Sequence, residues 1–178
     1  MTEWPVSCFK AYDIRGLSGT ELSDEFAYRL GRALATYLEC DSFAVGRDIR
    51  ESSPGYTSNL IQGLVDSGVR VLDLGFVSTG CVYHACWTLP VDGGVMVTAS
   101  HLPMPTHNGF KMCRGTLPLA GEEIQEFNFS SYSDSKDFTN NSLKSIGFEG
   151  RKNVIKKFDV DKMCQTTFTE YKKLIELS

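Results

Sequence analysis

The clearest helical pattern in the chain follows Ser23. Apolar residues recur there at the spacing of one buried helix face, at Phe26, Leu30, Leu34, Tyr37 and Leu38. Ser23 can cap the first turn, and Asp24 and Glu25 place negative charge at the positive end of the helix dipole. The pattern therefore predicts a helix that begins directly after Ser23.

Two further helices are predicted downstream. Ser53 followed by Pro54 is typical of an N-cap and a first helical position, and Gly68 follows the last apolar residues of that segment. A shorter helix is predicted over about 79–89.

Short apolar runs alternate with these helices. They predict strands over about 43–45, 69–74 and 95–98, with Gly93-Gly94 before the last of these, and a further strand that begins at 110–112. Strands that alternate with helices through short connections form a sheet with a parallel core and helices on its faces. The predicted fold is α/β, a three-layer α/β/α sandwich with a mixed, mainly parallel sheet.

Composition changes near residue 126. All six prolines, and every glycine except Gly147 and Gly150, lie before that point, and Ser and Asn are dense just after it. We therefore predict a domain over 1–126, a polar connector over 127–150 and a helical C-terminal appendage over 151–178. The last of these has apolar residues at helical spacing over 165–177.

The charge balance restricts the partners. Lys and Arg number 18 against 22 Asp and Glu, so the basic excess of most nucleic-acid-binding domains is absent. No apolar run approaches the roughly 18 residues of a membrane span, and the first residues lack the basic segment and apolar stretch that would predict a signal peptide. The six cysteines form no C-x-x-C pair, so we expect reduced, mostly buried thiols and no zinc. We predict a cytoplasmic protein with no nucleic-acid or membrane partner.

Candidate chemistry lies where two predicted strands end. Residues 47–50 and 98–101 follow buried strands, and sites in such sheets gather at the carboxyl ends of strands. The glycine-rich loops of dinucleotide and P-loop enzymes are absent, as is the G-x-S-x-G elbow of hydrolases. Residues 98–111 combine a serine hydroxyl with two imidazoles and an ammonium. By residue type alone, this segment fits either a polar turn or a nucleophile among cations.

Four motifs in order carry a more specific resemblance. They are Phe9-Lys10-Ala11-Tyr12-Asp13-Ile14-Arg15-Gly16, Val45-Gly46-Arg47-Asp48-Ile49-Arg50, Gly93-Gly94-Val95-Met96-Val97-Thr98-Ala99-Ser100-His101 and Asn108-Gly109-Phe110-Lys111. Together they resemble the alpha-D-phosphohexomutases, the phosphomannomutase/phosphoglucomutase family. The resemblance runs from about residue 8 to 126 and covers only the first, phosphoserine-bearing domain of four.

The resemblance implies a reaction and the residues that carry it. Ser100 would hold a phosphoryl group and exchange it between the 1- and 6-positions of a hexose phosphate, with a hexose bisphosphate as intermediate and activator and with Mg²⁺. Arg15 and Lys111 would supply positive charge, and Lys111 would also shuttle a proton. His101 would lie beside the phosphoserine. The implied activity is an intramolecular phosphotransfer in carbohydrate metabolism.

The resemblance also implies supporting residues. Tyr12 would brace the loop, and Asn108 and Gly109 belong to the segment that closes it. Arg47 and Asp48, in contrast, are expected to pair with each other and cap a strand end.

The implied metal site is incomplete. Ser100 would be a magnesium ligand through its phosphate, but the family's aspartate loop has no match here, since 159–161 lacks one carboxylate and the glycine. Leu102 also replaces the family's usual Asn, His107 stands about where Tyr is frequent, and the interval from Ser100 to Lys111 is one residue longer. These departures leave a second hypothesis open.

In that alternative, the chain is a truncated, non-catalytic domain that binds a sugar phosphate or a protein partner. Its binding surfaces would be the Ser100 loop and the 165–177 helix, which could also contact the family's other domains or another chain. A serine hydrolase is a third reading, for which no base and orienting acid can be placed.

Overall fold

The computed structural model describes residues 6–125. The predicted connector over 127–150 and the predicted helical appendage over 151–178 lie outside these residues and stay predictions. A short 3₁₀ turn at Val6–Cys8 precedes the strands and helices. The elements are β1 Ile14–Leu17, α1 Asp24–Leu38, β2 Ser42–Arg47, α2 Ser53–Asp66, β3 Arg70–Phe76, α3 Thr79–Thr88, β4 Gly93–Val97, β5 His107–Arg114, β6 Leu117–Pro118 and α4 Glu122–Gln125.

The strands form one mixed sheet in the order β1-β5-β4-β2-β3, with β6 paired to β5. Strand β2 is parallel to both β3 and β4, whereas β5 is antiparallel to β4, β1 and β6. All strands except β5 therefore point the same way. The mixed sheet is confirmed, with two parallel and three antiparallel strand pairs. The reversal of β5 brings its first residues to the edge where β2 and β4 end.

Helices cover both faces of the sheet, as the three-layer prediction requires. The larger core lies under α1 and α2, where Phe26 and Leu60 pack with the sheet residues Phe43 and Phe110. A smaller core under α3 holds Cys86 and its sheet neighbours Ala44 and Cys113. No helix within residues 6–125 combines the length and apolar character that a membrane span requires.

The helix starts show one confirmed cap and one correction. The Ser23 hydroxyl accepts a hydrogen bond from the Phe26 amide at 3.1 Å, so α1 begins as predicted. In α2, Ser53 is not the N-cap but the first helical residue, and Ser52 precedes it without a side-chain cap bond. The reason is that the Ser53 hydroxyl donates to Asp48 Oδ1 at 2.6 Å.

Two strand boundaries also differ from the prediction. Gly93 and Gly94 lie inside β4, where the absence of a side chain allows a close approach, because a Cβ on Gly93 would lie 2.4 Å from the Cys113 carbonyl oxygen. Strand β5 begins at His107 and not at Phe110. Strands β1 and β6 were not predicted, because Arg15 and Gly16 interrupt the apolar pattern of β1 and β6 spans only Leu117–Pro118.

The five cysteines of residues 6–125 form no disulfide bond. Cys8, Cys40, Cys86 and Cys113 are buried free thiols, and Cys81 is half-buried. Burial raises the pKa of Cys8 and of Cys40 to about 11. These thiols are therefore inert parts of the core.

Candidate functional site

The site forms where β2 and β4 end side by side. The Asp48 amide donates to the Val97 carbonyl at 3.0 Å, which continues the pairing of the two strands by one residue. The Thr98 hydroxyl then donates to Asp48 Oδ2 at 2.6 Å. The two segments that the sequence placed at strand ends therefore meet at one edge of the sheet.

Ser100 lies just beyond this junction, on the β4–β5 loop. The residue is exposed, and its φ of 57° is left-handed, a conformation that only Glu39 shares among non-glycine residues within 6–125. Such a backbone costs roughly 1–3 kcal/mol and persists only where neighbouring contacts impose it. One of these contacts is the hydrogen bond from the Ser100 amide to Thr98 Oγ1 at 3.0 Å. The hydroxyl is thus presented to solvent by a backbone held in a strained form.

A buried arginine holds the loop from below. The Arg50 guanidinium donates to three loop carbonyls, those of Ser100 at 2.8 Å, Leu102 at 2.9 Å and Pro103 at 3.1 Å, and to the carbonyl of His107, the first residue of β5, at 3.0 Å. Its Nε donates to Asp48 Oδ2 at 2.9 Å. Arg50 was not among the predicted site residues, although the motif Val45–Arg50 that the resemblance used contains it.

Asp48 and Arg47 correct one expectation. The two residues do not pair with each other: Arg47 forms an ion pair with Asp73 of β3 at 3.6 Å, and Asp48 pairs with Arg50. A pair that caps the strand end was predicted, but Asp48 joins Ser53 of α2, Arg50 and Thr98, which follows β4, in one network. Its role is still structural, but it acts on the loop that carries Ser100.

The network changes the titration of Asp48. Burial alone would raise the pKa of this carboxyl, but hydrogen bonds from Ser53, Thr98 and Arg50 outweigh burial and hold the pKa below its usual range. Because the folded pKa is the lower one, the ionised carboxylate stabilises the fold above the unfolded value of about 4. This contribution is lost as the pH falls through the folded pKa.

We therefore expect Asp48→Asn to flatten the acid side of the stability profile. Urea unfolding from neutral pH down to about pH 3 should show the wild type losing more free energy of unfolding than the variant, because only the wild type must protonate this carboxyl. Parallel losses in the two proteins would contradict the assignment.

Arg15 and Lys111 meet on a shared carboxylate. The Lys111 ammonium donates to Asp13 Oδ2 at 2.7 Å, and the same oxygen lies 2.6 Å from Nη2 of Arg15 and 2.7 Å from its Nε. The Asp13 carboxylate is buried, whereas the Arg15 and Lys111 side chains are 19% and 22% exposed. The three groups together keep one positive charge and present it at the surface. Asp13 was not predicted as a site residue, although it stands inside the opening motif.

Asn108 and Gly109 hold the start of β5 against α2 and β1. The buried Asn108 amide donates to the hydroxyls of Ser52 at 2.8 Å and Ser53 at 3.1 Å, and so ties β5 to the start of α2. A Cβ on Gly109 would lie 2.2 Å from the Ile14 carbonyl oxygen of β1. Glycine is therefore required for β1 and β5 to pair here, next to Arg15.

The other two predicted residues, His101 and Tyr12, lie at the surface of the domain. His101 is exposed on the loop directly after Ser100. Tyr12 is 74% exposed, so it does not fill the core. Its ring borders a cavity of about 480 Å³ that is lined by Lys10, Ala11, Tyr12, Asp13, Arg15, Gly16, Glu21, Leu102 and His107. A cavity of this size is within the range that binds small metabolites.

The unusual Leu102 affects this cavity and not the loop backbone. The Leu102 amide donates to the Ala99 carbonyl at 3.2 Å, and its own carbonyl accepts from Arg50. The half-buried side chain lines the cavity. The replacement therefore makes the cavity wall more apolar and leaves the backbone hydrogen bonds of the loop in place.

Residues 6–125 alone do not fit a magnesium centre. Among them, no group of three or more His, Cys, Asp or Glu side chains is placed to hold a metal ion. The Asp48 carboxylate already accepts hydrogen bonds from Arg50, Ser53 and Thr98. The Asp13 carboxylate is already paired with the two cations Arg15 and Lys111. Of the predicted metal contacts, only the Ser100 hydroxyl is available in this part of the chain.

Comparison with known proteins agrees with the sequence resemblance. The model of the phosphoglucomutase/phosphomannomutase alpha/beta/alpha domain I matches residues 6–128. The phosphomannomutase of Salmonella typhimurium is 47% identical over 118 residues, which cover 66% of this chain and 26% of that protein. The phosphoglucomutase of Neisseria gonorrhoeae is 47% identical over 121 residues, with the same two shares.

A solved structure matches as well. The crystal structure of a phosphoglucomutase/phosphomannomutase family protein from Burkholderia thailandensis aligns with a TM-score of 0.63 at 39% identity, over 67% of this chain and 28% of that one. The chain spans about a quarter of the length of the curated relatives named above. The matched part contains all four motifs of the resemblance and more than half of the sequence. The chain therefore belongs to the phosphoglucomutase/phosphomannomutase family, through the alpha/beta/alpha domain I of that family.

Proposed function

We propose that this domain carries the phosphoserine of a hexose phosphate mutase, with Ser100 as the residue that takes up and returns the phosphoryl group. The observation that carries the proposal is the setting of Ser100. Its hydroxyl is exposed at the end of β4, on a strained backbone that Thr98 and Arg50 hold. The relatives' names, phosphomannomutase and phosphoglucomutase, support the same activity.

The proposed transfer balances as a simple displacement. Ser100 Oγ attacks one phosphorus of a hexose 1,6-bisphosphate, a P–O bond to Oγ forms, and the P–O bond to the sugar oxygen breaks. The hydroxyl proton leaves Oγ, and a proton reaches the sugar oxygen. We propose Lys111 for this exchange: its ammonium, which Asp13 binds, gives a proton to the sugar oxygen, and the resulting amine takes the proton from Oγ. In the other half of the cycle, the phosphoserine gives its phosphoryl group to the free hydroxyl of a hexose monophosphate, so that the P–O bond to Oγ breaks and the bisphosphate forms. Attack of Ser100 on the phosphorus at the other position then leaves the isomeric monophosphate.

The cationic pair has a separate task in this proposal. Charge spreads over the phosphoryl oxygens during transfer, and fixed positive groups stabilise it without reorganising. Arg15 and Lys111 are fixed in advance because both are bonded to the same buried carboxylate. The cavity beside Tyr12 and Arg15 is the proposed place for the hexose phosphate, with His101 next to the reacting serine.

The proposal includes a magnesium ion. When bound, Mg²⁺ would neutralise phosphoryl oxygens. The phosphate on Ser100 would be one ligand, and the others would come from outside residues 6–125.

We expect action in the cytoplasm, where thiols such as Cys86 and Cys113 stay reduced. Contact of the 165–177 segment with further domains or another chain stays a prediction.

The direct test is phosphate uptake from a defined donor. The 178-residue chain is incubated with a hexose 1,6-bisphosphate and Mg²⁺, and its intact mass is measured before and after. We expect a gain of one phosphoryl group, which peptide mapping should place on Ser100. Saturable binding of the bisphosphate with no gain in mass would favour the non-catalytic alternative, and a phosphate on another residue would refute the assignment of Ser100.

A further inference from the structure

The Arg50 guanidinium uses every donor that it has. An arginine side chain carries five N–H groups in a planar fork. In this domain, Nε donates to Asp48, Nη1 to the carbonyls of Pro103 and His107, and Nη2 to those of Ser100 and Leu102. The side chain is only 2% exposed. No N–H of Arg50 is left for a phosphate or a sugar.

The four carbonyls lie on both sides of the turn at 104–106. Those of Ser100, Leu102 and Pro103 come before the turn, and that of His107 comes after it, at the first residue of β5. One rigid planar group therefore sets the relative positions of the two halves of the loop. Three Lys donors on a flexible stem cannot reproduce this arrangement.

Asp48 fixes Ser100 by a second route. Its Oδ2 binds Nε of Arg50 and also accepts from the Thr98 hydroxyl, whose oxygen in turn accepts from the Ser100 amide. The carbonyl of Ser100 is thus held through Arg50 and its amide through Thr98, and both arms start at the same carboxylate. Two attachments on either side of one Cα are what a left-handed serine needs in order to stay in that conformation.

We propose that Arg50 is the positioning residue that holds the Ser100 backbone in its reactive geometry and that it contacts no substrate. The inference rests on the proposed function of Ser100. A buried arginine near a phosphate site could either bind the substrate or hold the loop in place, and the proposal assigns only the second role to Arg50. Loss of Arg50 should slow transfer to Ser100 and leave the affinity for the donor almost unchanged, because no N–H of Arg50 is free to bind a ligand.

The test compares Arg50→Lys with Arg47→Lys. The rate of phosphate incorporation on Ser100 is measured against the concentration of hexose 1,6-bisphosphate. For Arg50→Lys we expect a fall in the maximal rate of about a hundredfold, as for a displacement of about 1 Å in such a site, and a KM within about twofold of the wild type. Arg47 lies on the same strand end but pairs with Asp73, so Arg47→Lys should keep the wild-type rate. A raised KM at an unchanged maximal rate would overturn the proposal.

A second measurement needs neither activity nor a variant. In the wild-type chain labelled with ¹⁵N-arginine, all N–H protons of Arg50 should appear as separate, slowly exchanging NMR signals, unlike those of Arg47. Exchange of the Arg50 protons as fast as those of Arg47 would refute the five-bond arrangement. If the wild type takes up no phosphate but shows these signals, the proposed function fails and the positioning of the loop stands.

Discussion

Replacing Ser100 with alanine is expected to abolish phosphate uptake from a hexose 1,6-bisphosphate. The methyl group offers no oxygen to attack phosphorus, so the loss should be complete to the detection limit of intact-mass measurement. The backbone bonds to Thr98 and Arg50 do not involve the hydroxyl, and they remain available to alanine. The variant should therefore fold with nearly the same free energy of unfolding as the wild type, because serine and alanine both carry a Cβ at this left-handed φ.

A hydroxyl elsewhere on the same loop provides the matched control. Thr106 is exposed, and its Oγ1 lies 2.9 Å from Nδ1 of His107. Thr106→Ala removes a hydroxyl from the loop and should leave phosphate uptake at Ser100 in place. Incorporation of phosphate into Ser100→Ala at the wild-type level would show that another residue accepts the phosphoryl group.

The largest effect on stability is expected from Gly63→Ala. Helices α1 and α2 approach each other through two glycines, so each packs against the backbone of the other. A Cβ on Gly63 would lie 2.0 Å from the Tyr28 carbonyl oxygen, and one on Gly31 would lie 2.3 Å from the Leu60 carbonyl oxygen. Backbone cannot rotate away as a side chain can, so the helices must separate. We expect a loss of about 3 kcal/mol or more, a large part of the 5–15 kcal/mol that stabilises a typical domain.

Gly80→Ala is the control for that variant. Gly80 lies in α3, and its nearest neighbour would be the Ser78 hydroxyl at 3.7 Å from the new Cβ, an ordinary contact. Alanine is the better helix former, so Gly80→Ala should be neutral or stabilising by up to about 1 kcal/mol. Denaturant unfolding of both variants checks the contrast. A loss below about 1 kcal/mol for Gly63→Ala would mean that the helices can adjust, contrary to this packing.

The parts of the fold that sequence patterns predicted are those set by local chemistry. Helix α1 was predicted from its cap and its apolar stripe, and β2 and β4 from their apolar runs. The start of β5 was missed because His107, Asn108 and Gly109 are polar or small, and their strand conformation comes from pairing with β1. The N-cap of α2 was misplaced because the Ser53 hydroxyl binds Asp48, in the connection between β2 and α2.

The residues of the candidate site divide in the same way, between those that the sequence indicated and those that only the structure shows. Motif resemblance singled out Ser100, Arg15 and Lys111 as site residues, but no pattern of residue types singled out Asp13 or Arg50. Their importance comes from contacts that join distant parts of the chain. Asp13 meets Lys111 across 98 sequence positions, and Arg50 meets the loop across 50 to 57 positions. Such pairs appear only once the topology is known.

Because β5 runs antiparallel to β4, the two ends of the β4–β5 loop lie next to each other. The Thr98 amide donates to the Gly109 carbonyl at 2.9 Å, and Lys111 takes its place by pairing with Met96 of β4. The position of Lys111 is therefore independent of how many residues the loop contains. Closing a loop costs free energy that grows only logarithmically with length, by about 0.6 kcal/mol per doubling. The loop can for that reason hold the extra residue between Ser100 and Lys111 without a shift in the β4–β5 register, and loops of other lengths could be exchanged at this hairpin without moving the ammonium.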